Sequence, residues 1–164
     1  HVAISYSQMN MTRQNKYNQI KKFGFNLASY ISSKSSTWKN LIHGDNCFIL
    51  EGQTIQPSVK IGNNVMIWSG NHIGHGSEIC DHVYISSHVV ISGNCKIGER
   101  SFLGVNATIK DFTTIGEDCF ITMGSLVKSN LKSGSTIISE NSKVLLKDDP
   151  INKKILKKYF DIKK

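Results

Sequence analysis

The chain lacks the features that mark a disulfide framework, a zinc site or a membrane span. Its four cysteines form no Cys-x-x-Cys pair, so we interpret them as reduced core residues. No apolar run approaches the roughly 20 residues that cross a bilayer, and no signal peptide is evident. We therefore expect a cytoplasmic protein without membrane insertion.

Basic residues outnumber acidic ones, but they lack the pattern of a nucleic-acid-binding surface. The net charge is +8, and residues 128–164 alone contain ten lysines against four acids. Nucleic-acid recognition would need a known module or aromatic residues interleaved with the basic ones, and neither is present. The basic tail is expected either to be solvated or to attract phosphate groups.

A six-residue repeat runs through the middle of the chain, and every sixth residue is a branched aliphatic. A helical period of 3.6 would scatter these side chains, and one continuous strand of this length is excluded without turns. The pattern predicts short extended pieces joined by corners, with three faces in each coil of 18 residues, which is a parallel β-helix. The fourteen positions are Ile49, Ile55, Ile61, Ile67, Ile73, Ile79, Ile85, Ile91, Ile97, Leu103, Ile109, Ile115, Ile121 and Val127.

The repeat divides the chain into three parts. We expect the β-helix over residues 37–130, preceded by a fragment of a small α/β unit over 1–36. Residues 131–164 are expected to form a cap and a helix, because the ends of a β-helix need covering.

The C-terminal helix has a clear start signal. Asp149 can serve as its N-cap with Pro150 in the first helical position. Ile151, Ile155, Leu156 and Tyr159 form an apolar stripe, which is expected to pack against the rest of the protein.

The repeats resemble those of the left-handed β-helix acyltransferases, as in the hexads IGNNVM from Ile61 and IGERSF from Ile97. More narrowly, the chain resembles bacterial sugar acetyltransferases that act on nucleotide-linked amino sugars or on sialic acid. The matching stretches are VAISYS, GFNLASYISSKSSTW, IGHGSEICDHVYISSHVVISGNCKIG and SFLGVNATI. The resemblance implies a left-handed β-helix and acetyl coenzyme A (acetyl-CoA) as the acetyl donor.

Histidines are concentrated in one segment, which contains His72, His75, His82 and His88. Acetyl transfer to an amine or hydroxyl needs a base to remove a proton, and histidine can do this near neutral pH. The resemblance assigns the base to His75, with His88 as the alternative. The family often has an acidic residue directly after this histidine, whereas Gly76 follows here, and Glu78 or Asp81 are candidate replacements.

A metal site is not expected. A related family of β-helix enzymes that hydrate carbon dioxide binds zinc through histidines from two subunits. The histidines here lie three, seven and six residues apart, which does not reproduce that arrangement.

The resemblance also implies where the cofactor lies. In the family, its pantetheine arm occupies a groove between two prisms, so we expect a homotrimer. The positions that match this role are Tyr84, Gly93, Val105 and Met123. The family's Gly-x-Pro-Ala-Lys segment near the adenine is replaced here by SENSKVLLKDDP. A glycine-rich turn that begins the family's nucleotide-sugar-binding domain would precede His1, so we expect further residues upstream.

The leading hypothesis is an acetyl-CoA-dependent acetyltransferase that modifies an amino group of a nucleotide-linked deoxyamino sugar for surface glycans. An O-acetyltransferase of the sialic-acid type is the first alternative. A non-catalytic β-helix that serves as a scaffold is the second.

Overall fold

The centre of the protein is a left-handed parallel β-helix of about six coils. The computed structural model describes residues 1–140 and 143–160. Short strands form three parallel sheets, in which neighbouring strands belong to successive coils. We name these sheets faces A, B and C, in the order in which the chain passes through them.

All strands of the described residues are two residues long. Face A contains β1 (Tyr30–Ile31), β3 (Phe48–Ile49), β6 (Met66–Ile67), β9 (Tyr84–Ile85), β12 (Phe102–Leu103), β15 (Phe120–Ile121) and β17 (Thr136–Ile137). Face B contains β4 (Thr54–Ile55), β7 (His72–Ile73), β10 (Val90–Ile91), β13 (Thr108–Ile109) and β16 (Leu126–Val127). Face C contains β2 (Ile42–His43), β5 (Lys60–Ile61), β8 (Glu78–Ile79), β11 (Lys96–Ile97) and β14 (Thr114–Ile115). The helices are α1 (Met11–Lys22) and α2 (Pro150–Phe160).

The aliphatic repeat forms the core, as the sequence predicts. All fourteen repeat positions are at most 3% exposed. Residues 18 apart pair in register, so Ile73 lies between Ile55 and Ile91 on face B. Each coil therefore stacks its aliphatic side chains on those of the coil below at about 4.8 Å, the strand spacing of a β-sheet.

The corner between faces C and A contains a ladder of polar side chains. One residue per coil has a positive φ there, including Asn46 (54°), Asn64 (55°) and His82 (63°). Asparagine tolerates this left-handed conformation well. Asn46 Nδ2 donates to Asn64 Oδ1 at 2.7 Å, and Asn64 Nδ2 contacts His82 Nδ1 at 2.9 Å. The buried polar groups thus bond to one another along the column.

The N-terminal segment is anchored to this corner by α1. The guanidinium of Arg13 is buried and donates to the carbonyl oxygens of Asn64 at 2.7 Å and His82 at 2.6 Å. Asn10 Nδ2 donates to the carbonyl oxygen of Arg100 at 2.8 Å. Burial lowers the pKa of Arg13 to about 10, which still leaves the side chain charged at neutral pH.

The β-helix extends beyond both expected bounds. Tyr30 pairs with Phe48, ahead of residue 37, and Thr136 pairs with Phe120, beyond residue 130. These outer strands extend the aliphatic stack, because Ile31 pairs with Ile49, Ile137 pairs with Ile121, and both pack against the core. They also supply backbone hydrogen bonds. Ser32 N, for example, donates to the carbonyl oxygen of Ile49 at 2.9 Å. Core stacking and backbone pairing therefore both continue beyond the stretch in which every sixth residue is aliphatic.

The C-terminal helix begins as predicted, but its apolar stripe does not pack. Ile151 N donates to Asp149 Oδ1 at 2.7 Å, which is the expected cap. No residue of α2 is buried: Ile151, Ile155 and Tyr159 are 51%, 40% and 67% exposed, and Leu156 is half-buried. The expectation of packing was wrong for the described residues. Neither helix of the described part is long and apolar enough to cross a membrane.

The core register can be tested with Ile91→Asp. This change places a carboxylate inside an apolar prism without a partner, which costs several kcal/mol of folding free energy, on the order of 3–5. We expect an insoluble variant, or one without a cooperative thermal transition. The matched control is Thr114→Asp, since Thr114 is the exposed outward residue of β14 on face C. A normal melting temperature for Ile91→Asp would contradict the register.

Candidate active site

His75 lies exposed at the corner between faces B and C, directly after β7. Gly76 follows with a φ of 67°, in the left-handed region that favours glycine. A Cβ on Gly76 would lie 2.5 Å from Asn94 Oδ1 in the coil above. Ser58, Asn94 and Phe112 occupy the equivalent corner position in other coils, also at positive φ, so glycine is favoured at position 76 but not required. A side chain there would have to displace the Asn94 amide.

The imidazole of His75 is held by an amide oxygen. Gln56, one coil below, places its Oε1 2.9 Å from the backbone N of His75 and 3.2 Å from its Nδ1. Because this oxygen already accepts the backbone N–H, it is an acceptor, and the contact with Nδ1 requires that Nδ1 carry the proton. The neutral ring then has its free lone pair on Nε2.

Nε2 faces outward over the coil above. Its nearest hydrogen-bond partner is Asn94 Nδ2, at 3.5 Å, which is a long and weak contact. The ring lies on the backbone of Gly93, where a Cβ would be 2.6 Å from His75 Cε1. Any side chain at Gly93 would displace the imidazole. The amide N–H of Gly93 donates to Asp111 Oδ1 at 2.9 Å.

The two candidate replacements for the missing carboxylate are wrong. Glu78 lies on face C and pairs with Lys96 at 3.3 Å. Asp81 lies at the corner between faces C and A and accepts from the backbone N of Asn63 at 2.7 Å. The polar partners of the His75 ring are the side-chain amides of Gln56 and Asn94. Each lies 19 residues from His75 in the sequence, which is close to the 18 residues of one coil.

The histidines that are near in sequence are distributed around the prism. His88 is exposed at the corner between faces A and B, where its ring covers Gly70. His72 points outward from face B between Thr54 and Val90. Consecutive corners project from different edges, so sequence density does not become a spatial cluster. Within residues 1–140 and 143–160, no three or more His, Cys, Asp or Glu side chains are arranged to hold a metal ion.

His82 is buried, and its ring packs within the polar column between faces C and A. Its Nδ1 accepts from Asn64, and Tyr17 packs edge-on against its ring at 5.4 Å. Burial lowers the pKa of His82 to about 4, and the nearby cation of Arg13 acts in the same direction. His82 is therefore neutral at physiological pH.

The four expected cofactor positions do not meet within one chain. Gly93 lies beside His75. Val105 and Met123 are exposed at the corner between faces A and B, one coil apart. Tyr84 is outward on face A, but it is only 5% exposed because Tyr6 packs against its ring.

Two adjoining parts of the β-helix match family models of hexapeptide repeats. Residues 58–93 match the bacterial transferase hexapeptide model, and residues 95–129 match the hexapeptide repeat of succinyl-transferase. The expected resemblance to hexapeptide-repeat transferases is confirmed. No curated protein is significantly similar to the chain in sequence.

Several solved structures share the fold at low sequence identity. The acetyltransferase domain of PglB from Neisseria gonorrhoeae, also solved with acetyl-CoA, is 23% identical over 83% of this chain and 66% of its own, with a TM-score of 0.77. WeeI from Acinetobacter baumannii is 19% identical over 83% of this chain and 66% of its own, with a TM-score of 0.75. A mutant perosamine N-acetyltransferase from Caulobacter crescentus, solved with CoA and GDP-perosamine, is 22% identical over 79% of this chain and 62% of its own, with a TM-score of 0.64.

The solved neighbours establish the left-handed β-helix fold of this chain. The chain spans between 62% and 66% of the length of these three neighbours.

The low pKa of His82 predicts a loss of stability in mild acid. In the unfolded chain, His82 binds a proton below about pH 6.5, whereas the folded protein resists protonation down to about pH 4. Its contribution to stability is therefore complete above about pH 6.5 and decreases as the pH falls toward 4. His82→Asn keeps a residue that tolerates positive φ and removes this dependence.

Melting temperatures at about pH 7.5 and about pH 5.5 measure the effect. The parent should lose more stability between these conditions than His82→Asn does. His88→Asn is the matched control, since His88 also has a positive φ but is exposed. Equal losses for the parent and His82→Asn would show that His82 does not resist protonation.

Proposed function

We propose that this left-handed β-helix protein is an acetyl-CoA-dependent acetyltransferase with His75 as its general base. The acceptor we propose is an amino group of a nucleotide-linked deoxyamino sugar. The observation that carries the proposal is the His75 ring itself, which is exposed and held through Nδ1 so that the lone pair is on Nε2. The solved neighbours that bind acetyl-CoA, CoA or GDP-perosamine support this choice.

The proposed reaction uses Nε2 as the proton acceptor. The amine lone pair attacks the thioester carbonyl carbon, and His75 Nε2 takes a proton from the amine as the new N–C bond forms. The C–S bond then breaks, and CoA leaves as a thiolate that is protonated in turn. Gln56 Oε1 points its negative end at Nδ1–H, so it favours the imidazolium that forms. An amide does so more weakly than a carboxylate would.

Two lysines follow the same corner toward the C-terminal end of the prism. Lys110 and Lys128 are exposed, and they lie two and three coils after Gly74, the residue next to His75. At the spacing of a β-sheet this places their backbones roughly 10 and 14 Å along the prism. We propose that they attract the phosphates of CoA while the thioester lies at His75.

Face B is the proposed interface of a homotrimer. Its outward residues include no charged side chain; they are Thr54, His72, Val90, Thr108 and Leu126. Face A is covered in part by the N-terminal segment through Tyr6, and face C presents Lys60, Glu78 and Lys96 to solvent. Because face B has no charged outward side chain, burying it in an interface costs the least desolvation free energy of the three faces.

This arrangement would complete the site between two chains. With face B toward a threefold axis, each corner between faces B and C lies beside the next chain's corner between faces A and B. His75 of one protomer would then share a groove with Val105 and Met123 of its neighbour. A site shared between two chains requires its residues to lie at different corners of each chain, as His75 and the pair Val105 and Met123 do.

Val90→Asp tests the interface. The change places three carboxylates near the threefold axis, where like charges repel. We expect the parent to be a trimer by light scattering and the variant to be monomeric, with acetyltransferase activity lost. Lys96→Asp, which alters face C, should remain trimeric. A parent that is a stable monomer would remove the shared groove.

His75→Ala tests the base. A positioned histidine contributes about 10²–10⁴ to the rate, so turnover should fall by that order. Binding of acetyl-CoA, measured by calorimetry, should be nearly unchanged. Gln56→Glu should not lower turnover, because a carboxylate facing Nδ1–H stabilises the imidazolium that forms more than an amide does.

The alternatives make different predictions in the same assays. If His75→Ala keeps normal turnover while His88→Ala abolishes it, the base is His88. An ester product from a sugar hydroxyl would indicate O-acetylation. A trimer that does not bind acetyl-CoA would support the non-catalytic scaffold.

A further inference from the structure

The segment of residues 143–160 exposes more large apolar side chains than its length would suggest. Six are at least 40% exposed: Val144, Leu146, Ile151, Ile155, Tyr159 and Phe160. An exposed group of this kind marks an interaction surface rather than ordinary surface variation. None of these side chains takes part in the proposed reaction.

The apolar and basic side chains of α2 lie on opposite sides of the helix. At 100° per residue, Ile151, Ile155 and Tyr159 fall within one half, together with Leu156, Phe160 and Asn152. The other half contains Lys153, Lys154, Lys157 and Lys158, with Pro150 in the first position of the helix. The helix contains no acidic residue. This distribution is typical of helices that lie in the interface of an anionic bilayer.

The lysines are largely free for such a contact. Within the described residues, the one ion pair of the four is Lys153 with Asp148, at 3.7 Å and highly exposed. Residues 143–160 contain six lysines and two aspartates, so their charge is strongly positive. Residues 1–142 contain twelve basic and nine acidic residues and are also positive. A second copy of this chain is therefore not complementary in charge, whereas an anionic lipid surface is.

We propose that α2 binds the protein peripherally to an anionic phospholipid surface. The apolar half enters the boundary between headgroups and acyl chains, and the lysines contact the lipid phosphates. The helix has 11 residues and is about 16 Å long, which is too short to cross a hydrocarbon core of about 30 Å. This surface association does not depend on the proposed acetyltransferase activity.

Cosedimentation of the whole chain with vesicles tests the proposal. The parent should sediment with phosphatidylcholine vesicles that contain about one third phosphatidylglycerol, and not with phosphatidylcholine alone. Lys154→Gln with Lys157→Gln should weaken partitioning roughly 25-fold, at about fivefold per lysine. Ile151→Ser with Ile155→Ser should weaken it as well, since apolar contact is lost. These exposed positions leave the β-helix core untouched.

A second pair of lysines provides the matched control. Lys16→Gln with Lys22→Gln removes the same charge from exposed positions of α1 and should leave partitioning nearly unchanged. Equal losses in both lysine pairs would show a diffuse charge effect and overturn the proposal. Failure of the parent to sediment would also overturn it. So would a change in oligomeric state by light scattering in the Ile151→Ser, Ile155→Ser variant, because α2 would then be a contact between copies.

Discussion

The stacking of one coil on the next at intervals of 18 residues determines the rest of this structure. Each aliphatic of the repeat lies on the aliphatics one coil away, as Ile73 does between Ile55 and Ile91. The backbone hydrogen bonds follow the same interval, so packing and pairing reinforce one register. A shift of one residue would turn every core side chain outward. The prism therefore fixes which residues become neighbours at each edge.

The candidate site is a consequence of this interval. Gln56, His75 and Asn94 are separated by 19 residues each time, and successive coils bring them to one corner. The β-helix backbone brings them together before any ligand binds, which is the preorganisation that the proposed proton transfer would use. Gly93 has no side chain, and this leaves room for the imidazole of His75 above its backbone.

The sequence predicts the prism because its pattern is local and repeated. It also predicts that His75 projects from a corner, since a corner follows each aliphatic. The partners of His75 were missed because they require counting one coil away from it, in either direction. The histidines that are close in sequence are not close in space for a related reason, because neighbouring hexads lie on different faces.

The anchoring of the N-terminal segment could not be predicted from any periodic pattern. Arg13 looks like an ordinary helix-surface residue, yet its guanidinium is buried against the carbonyl oxygens of Asn64 and His82. Those oxygens are available because the corner there runs through the left-handed region. The contact thus depends on a backbone feature that recurs in each coil and that both Arg13 and Asn10 use.

The two ends of the chain use the prism in opposite ways. The N-terminal segment places polar groups of Asn10 and Arg13 on backbone carbonyls of one corner, so its position is fixed by directional bonds. Such bonds lose strength steeply when they are misaligned. The helix α2 has no buried residue, and what distinguishes it is an uneven distribution of apolar and charged side chains. Non-directional attraction of that kind suits a fluid surface, where no single geometry is presented.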